Sequence, residues 1–172
     1  PFGRFLGYDR GEDGNLVVNP KEAEVVRDIY RLFLSGLTPH AIAKILTERG
    51  ITTPGGKMKW IQGTVQSILT NEKYKGAALL QKCYTVDFLT KKRVINEGQV
   101  PQYYIEHSHE PIIPPDEFEE VQAELTRRRK LGRRYSGNTI FSAKLICGDC
   151  GSYFGAKVWH STSKYRRIIW QC

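Results

Sequence analysis

Apolar residues in the first seventy positions recur at the period of a helix. In "NPKEAEVVRDIYRLFLSG" the residues Ala23, Val26, Ile29, Tyr30, Phe33 and Leu34 form one stripe. Asn19 stands at the cap position, Pro20 at the first helical position, Glu22 three residues beyond the cap, and Gly36 at the stop. "LTPHAIAKILTERG" predicts a second helix. Thr38 caps it, Pro39 starts it, Ile42, Ala43, Ile45 and Leu46 give its apolar side, and Gly50 ends it. After the turn "ITTPGGKMK", the stretch "WIQGTVQSILTN" predicts a third. Ile61, Val65, Ile68 and Leu69 fall on its inner face, Gly63, Gln66, Ser67 and Thr70 on its outer face, and Gln62 and Thr64 on the flanks.

The flanking stretches follow other patterns. "GRFLGYDRGEDGNLVVNP" reads as a β-hairpin around a turn rich in Gly and Asp. From residue 74, Val, Tyr, Leu and Thr become frequent, which predicts a sheet of two or three strands. Cys83 within it reads as a half-buried strand residue. "PPDEFEEVQAELTRRRKLG" predicts a helix with acidic first turns and basic last turns, matching its dipole. "RRYSGNTI" is a polar connector, and a small cysteine-bearing stretch begins at Ser142.

Length and composition narrow the class. The 172 residues suffice for one large domain or two small ones, and 40% hydrophobic content indicates a globular chain. No apolar run is long enough to span a membrane, and the N-terminus has no signal-peptide pattern. With no initiator Met, the chain reads as a piece of a longer protein. The formal net charge is +8, which favours a polyanionic partner, nucleic acid before membrane.

That charge is local. Residues 1–50 carry seven basic and seven acidic groups, whereas residues 57–93 carry eight Lys/Arg against Glu72 and Asp87. Residues 151–172 carry four basic groups and no acid.

Three helices with a polar last face form a helix-turn-helix arrangement, which lays that helix in a major groove. Gln62 and Gln66 are suited to adenine, and Thr64 and Ser67 to either donors or acceptors; Thr70 shares their face. Gly63 permits close approach, and Lys57 and Lys59 are placed to hold phosphates. A three-helix core with a solvated polar face would carry the same pattern. Basic residues interleaved with aromatics extend the candidate surface: Lys73 and Lys75, then Lys91, Lys92 and Arg93, then Arg166 and Arg167. Lysines of this kind also guard strand edges. Arg128, Arg129, Arg133 and Arg134 belong to a dense run at a helix end, readable as dipole charge or as a phosphate-contacting linker.

Cys147 and Cys150 form a CxxC knuckle, and Cys172 follows 22 residues later. With the paired cysteines of a reducing cytoplasm, this spacing suits part of a zinc ribbon whose fourth ligand lies downstream. A redox pair and a contribution from His160 are the alternatives. His40, His107 and His109 show no triad or ligand spacing, and no nucleophile–base set or phosphate loop is present, so no catalytic residue is assigned.

As an ordered set these residues resemble the C-terminal region of the large serine recombinases, the serine integrases and conjugative-transposon recombinases. The resemblance runs through Ile42-Ala43, Leu46, Gly50-Ile51-Thr52-Thr53, Trp60, Val65, Ile68-Leu69, Asn71, Tyr74 and Gly76, then "HEPIIPPDEFEEVQAEL" and "SAKLICGDCGSYF". It implies an α+β chain. A helix-turn-helix, winged-helix-like DNA-binding domain with a small sheet spans 1–113, a helix and basic linker 114–139, and the start of a zinc β-ribbon 140–172. It implies duplex attachment-site DNA as partner, Zn2+ on Cys147, Cys150 and Cys172 in the intact protein but absent or incompletely ligated in this chain, and a cytoplasmic, bacterial or phage-encoded parent acting as a dimer or tetramer. The family's catalytic serine domain and its coiled-coil heptads have no counterpart here, so the chain alone is expected to be inactive. The competing reading is a non-enzymatic winged-helix and zinc-ribbon transcription regulator.

Overall fold

The computed structural model describes residues 5–12, 14–87, 89–130, 141 and 144–172. Strands β1 (Tyr8–Arg10) and β2 (Leu16–Val18) form the opening antiparallel hairpin, with Tyr8 opposite Val18. Helix α1 (Pro20–Leu34) begins where expected, the Asn19 side chain accepting from the Glu22 amide. Glu22 does not return the favour to Asn19. Its carboxylate accepts from the Gly7 amide at 2.8 Å, tying the hairpin to the helix. Helix α2 (Pro39–Glu48) is capped by Thr38, whose hydroxyl accepts from Ala41. Gly36 and Gly50 follow their helices with φ of +106° and +69°, the left-handed geometry that ends a helix without penalty to glycine.

Helix α3 (Gln62–Leu69) is shorter than the sequence pattern suggests. Ile61 is its cap residue, in extended conformation, and is 59% exposed rather than part of the inner face. The cap lies outside the helical period, so the i, i+4 count that placed Ile61 inward begins one residue too early.

A 3-10 turn at Glu72–Lys75 then buries Tyr74. Four short strands follow: β3 (Ala78–Leu80), β4 (Cys83–Thr85), β5 (Arg93–Ile95) and β6 (Tyr103–Ile105). They pair as two ladders, β3 with β6 and β4 with β5, both antiparallel, so that the second is nested within the first. Cys83 is exposed, not half-buried, because no layer covers the β4–β5 ladder.

Helix α4 (Pro115–Lys130) packs back on α1 and α3. Its Phe118, Val121 and Leu125 join Val26, Ile29, Tyr30, Phe33, Ile42, Leu46, Val65 and Leu69 in one apolar cluster. Helix α4, which follows the expected boundary at 113/114, thereby shares the core of the preceding helices. The remaining strands, β7 (Gly155–Trp159) and β8 (Arg167–Gln171), form a separate antiparallel ladder. Among the described residues no helix is long and apolar enough to cross a membrane.

Candidate nucleic-acid interface and cysteine cluster

Trp60 fixes the approach to α3. It is buried, its indole N–H donates to the Ile51 carbonyl at 2.8 Å, and its amide donates to the Thr47 hydroxyl at 3.0 Å. The intervening turn closes on Thr53, whose amide donates to the Lys57 carbonyl and whose hydroxyl accepts from the Lys57 amide. Gly56 supplies the positive φ of +74° that this turn requires. Lys57 and Lys59 are consequently held outward, exposed, beside the start of α3. Neither side chain has an ion-pair partner among the described residues.

On α3 itself, Val65, Ile68 and Leu69 are buried and hold the helix against the core. Tyr30 locks its end, the hydroxyl donating to the Ile68 carbonyl at 3.1 Å. Burial pushes the Tyr30 phenol far above its ordinary range, so it stays a donor at any physiological pH. Gln62, Gly63, Ser67 and Thr70 are exposed, and Thr64 and Gln66 half-buried. A methyl group built on Gly63 meets nothing within 4 Å, so the helix backbone is open to solvent there. Thr70 has a local use as well, its hydroxyl donating to the Gln66 carbonyl. Lys57, Lys59 and the outer residues of α3 are thus exposed along one stretch, with the apolar side chains of Met58 and Ile61 exposed among them.

The other predicted residues separate into two groups. Lys91, Lys92, Arg93, Arg129, Arg166 and Arg167 are exposed, on the β4–β5 turn and strand, at the end of α4, and before and in β8. Lys73 and Lys75 face the protein more than solvent. Lys75 pairs with Glu119, which holds its ammonium above the ordinary range, and lies 5.0 Å from the Phe118 ring centre. Lys73 lies 5.7 Å over the Phe5 ring, and its carbonyl accepts from the His109 ring at 2.7 Å.

Arg128 needs correction. Its side chain is only 11% exposed, donates to the carbonyls of Leu37 and Phe33, and pairs with Glu124. It caps the end of α1 from α4 and is not presented to a ligand. Arg133 and Arg134 lie outside the described residues. Sequence reasoning missed His40 and Lys44, which line a cleft of about 470 Å3 beside Trp60, Ile61 and Gln62. Only the folding of α2 against the approach to α3 brings them there, and no local motif signals it.

In the C-terminal stretch the knuckle is formed by backbone bonds. The Cys147 amide donates to Ser152 O at 2.8 Å, and Gly151 N donates back to Cys147 O at 3.0 Å. Residue 151 has a φ of +65°, which glycine tolerates. The β7–β8 pairing sets Gly155 opposite Gln171, which brings Cys172 back to the knuckle. The sulfurs of Cys147, Cys150 and Cys172 all lie within 4.8 Å of one another. Around a tetrahedral ion with metal–sulfur bonds of about 2.3 Å, sulfurs stand about 3.8 Å apart, so the three fit one metal ion. Hydrogen bonds from the Ser152 amide and hydroxyl pull the Cys150 thiol down to about 7, while Cys147 and Cys150 push the Cys172 thiol up.

The family model for Recombinase matches residues 20–128. The chain belongs to the Recombinase family. The matched segment runs from the start of α1 nearly to the end of α4 and holds most of the apolar cluster, to which Leu6 and Tyr8 also belong. It bears out the resemblance to the large serine recombinases read from the sequence. The chain is similar to the uncharacterized protein YefB of Bacillus subtilis (strain 168), 37% identical over 93 residues, or 54% of this chain and 30% of YefB.

Two solved structures share the fold over the whole chain. One, described as a crystal structure of an LSR–DNA complex, has a TM-score of 0.54 at 23% identity, with 48% of that chain covered. The other comes from work on the sequence requirements of the Listeria innocua prophage attP site. It has a TM-score of 0.51 at 22% identity, with 65% of that chain covered. The Recombinase chain therefore spans between 30% and 65% of the length of these relatives. The α+β class expected from sequence holds.

Proposed function

We propose that this chain is the DNA-binding part of a site-specific serine recombinase, recognising attachment-site duplex for integration or excision of a mobile element. The observation that carries the reading is the exposed stretch of Lys57, Lys59 and α3 inside the segment matched by the Recombinase model. The relatives' description as recombinase–DNA and prophage attP structures supports it over a transcription regulator. Gln62 and Gln66 read base edges, with Thr64 and Ser67 beside them, while Lys57 and Lys59 hold phosphates. Lys91, Lys92, Arg93, Arg129, Arg166 and Arg167 add sequence-independent attraction.

In the same reading Cys147, Cys150 and Cys172 hold Zn2+, which stabilises a hairpin whose side chains are otherwise largely exposed. Strand exchange belongs to the parent protein, working as a dimer or tetramer in the cytoplasm. The test is protection of the element's end sequences by the chain, with and without a chelator. Salt-insensitive binding, equal on all duplexes, would overturn the reading.

A further inference from the structure

Ile61 occupies a position that folding alone does not favour. A helix cap is normally Ser, Thr, Asp or Asn, whose side chain satisfies a helical amide. Ile61 makes no such bond and leaves its side chain 59% exposed. Met58, three residues earlier, is 57% exposed. Both stand on the approach to α3, and Ile61 forms one wall of the cleft lined also by His40, Ala43, Lys44, Lys59 and Trp60. Ile61 is not in the apolar cluster, to which its neighbours Trp60 and Val65 belong.

The surroundings specify the occupant by charge. Lys44 and Lys59 line the cleft; its one acid, Glu48, is matched by Lys44 at 3.7 Å, and Lys59 has no ion-pair partner among the described residues. A polyanion carrying a small exposed apolar group satisfies both features. Duplex DNA presents such a group in its major groove, the 5-methyl of thymine. The residue next to Ile61 is Gln62, whose amide suits adenine, so one A·T pair or two adjacent ones would meet both side chains.

We propose that Ile61 is a specificity-determining contact that recognises a thymine 5-methyl group at the entry of α3. The proposal rests on the DNA-binding reading above and assigns part of its sequence preference to an apolar contact.

The test uses the 172-residue chain and duplexes that it selects from a randomised pool. Thymines in a selected duplex are replaced one at a time by deoxyuridine, which lacks only the methyl group. At one thymine the replacement weakens binding about fourfold, the worth of one buried methyl. Ile61→Ala removes that difference, and Ile61→Val keeps most of it, with the salt slope unchanged in both. A wild-type series with no sensitive thymine overturns the proposal whatever the variants do. So does a penalty that persists undiminished in Ile61→Ala, or an Ile61→Ala chain that matches wild type on every duplex, which would assign the patch to a protein surface. A chain that selects no duplex overturns the DNA-binding reading itself, a result distinct from these.

Discussion

The Arg128 guanidinium lies 4.2 Å from the centre of the Phe33 ring while donating to the Phe33 and Leu37 carbonyls. One side chain from α4 therefore stacks on α1, satisfies carbonyls beyond its last turn and meets Glu124 on its own helix. Arg128→Ala removes the donor to the Leu37 carbonyl and the stacking on Phe33, while Phe33 O keeps the Gly36 amide and Glu124 keeps Arg127, and is expected to cost about 1–2 kcal/mol in denaturant unfolding. Arg128→Lys recovers only part, since an ammonium has no planar fork. The salt slope of DNA binding stays unchanged in both, which separates this clamp from a phosphate contact.

The same cluster gives a pH dependence. Hydrogen bonds from Arg127, then from Arg128, outweigh burial and hold the Glu124 carboxyl below its ordinary range. Because the folded value is the lower one, its contribution is present above the ordinary carboxylate range and is lost as pH falls through the depressed value. Thermal melting of the wild-type chain is expected to drop across that acidic window, and by less in Arg128→Ala.

Gly63 separates stability from recognition. It sits within α3 with open space where a side chain would be. Gly63→Ala is expected to raise unfolding free energy by about 0.5–1 kcal/mol. If the helix lies close to base edges, the same change lowers DNA affinity. A variant both more stable and equally tight would remove the close approach from the interface.

Lys59 is exposed and has no ion-pair partner among the described residues. Lys59→Ala should weaken binding to all sequences alike and reduce the salt slope by about one. Gln66→Ala should instead cost about 1–3 kcal/mol at one base pair and leave the slope intact. Titrations at several salt concentrations on matched and mismatched duplexes distinguish the two.

If the three cysteines hold zinc as proposed, its removal should affect the C-terminal ladder alone. Cys147→Ser, or chelator, is expected to abolish bound zinc in a stoichiometric assay and to loosen β7 and β8. The helical signal at 222 nm should persist, because α1 to α4 share a core that contains no cysteine.

Helix boundaries were legible because each rests on local chemistry: Asn19 and Thr38 as caps, Pro20 and Pro39 as first residues, Gly36 and Gly50 as stops. The Lys57, Lys59 and α3 surface was legible for the same reason. Ile61 was misplaced because periodicity does not reveal where a helix begins when the cap is apolar. Arg128 was misread because its carbonyl partners lie 91 and 95 positions away, beyond any local pattern. Cys83 looked half-buried because alternation predicts a strand but not whether another layer covers it.

The β4–β5 ladder is fastened chiefly through Asn96, whose side chain donates to Gln81 and Val100 carbonyls and accepts from the Gly98 and Val100 amides. Among the described residues between 81 and 102, none belongs to the apolar cluster. Opening this arm therefore breaks hydrogen bonds but exposes little hydrophobic surface, so it should proceed far below the free energy of global unfolding. In hydrogen exchange the chain would behave as two clocks. The amides of Cys83–Thr85 and Arg93–Ile95 would run fast and insensitive to core mutations, and those of α1 would report the whole domain.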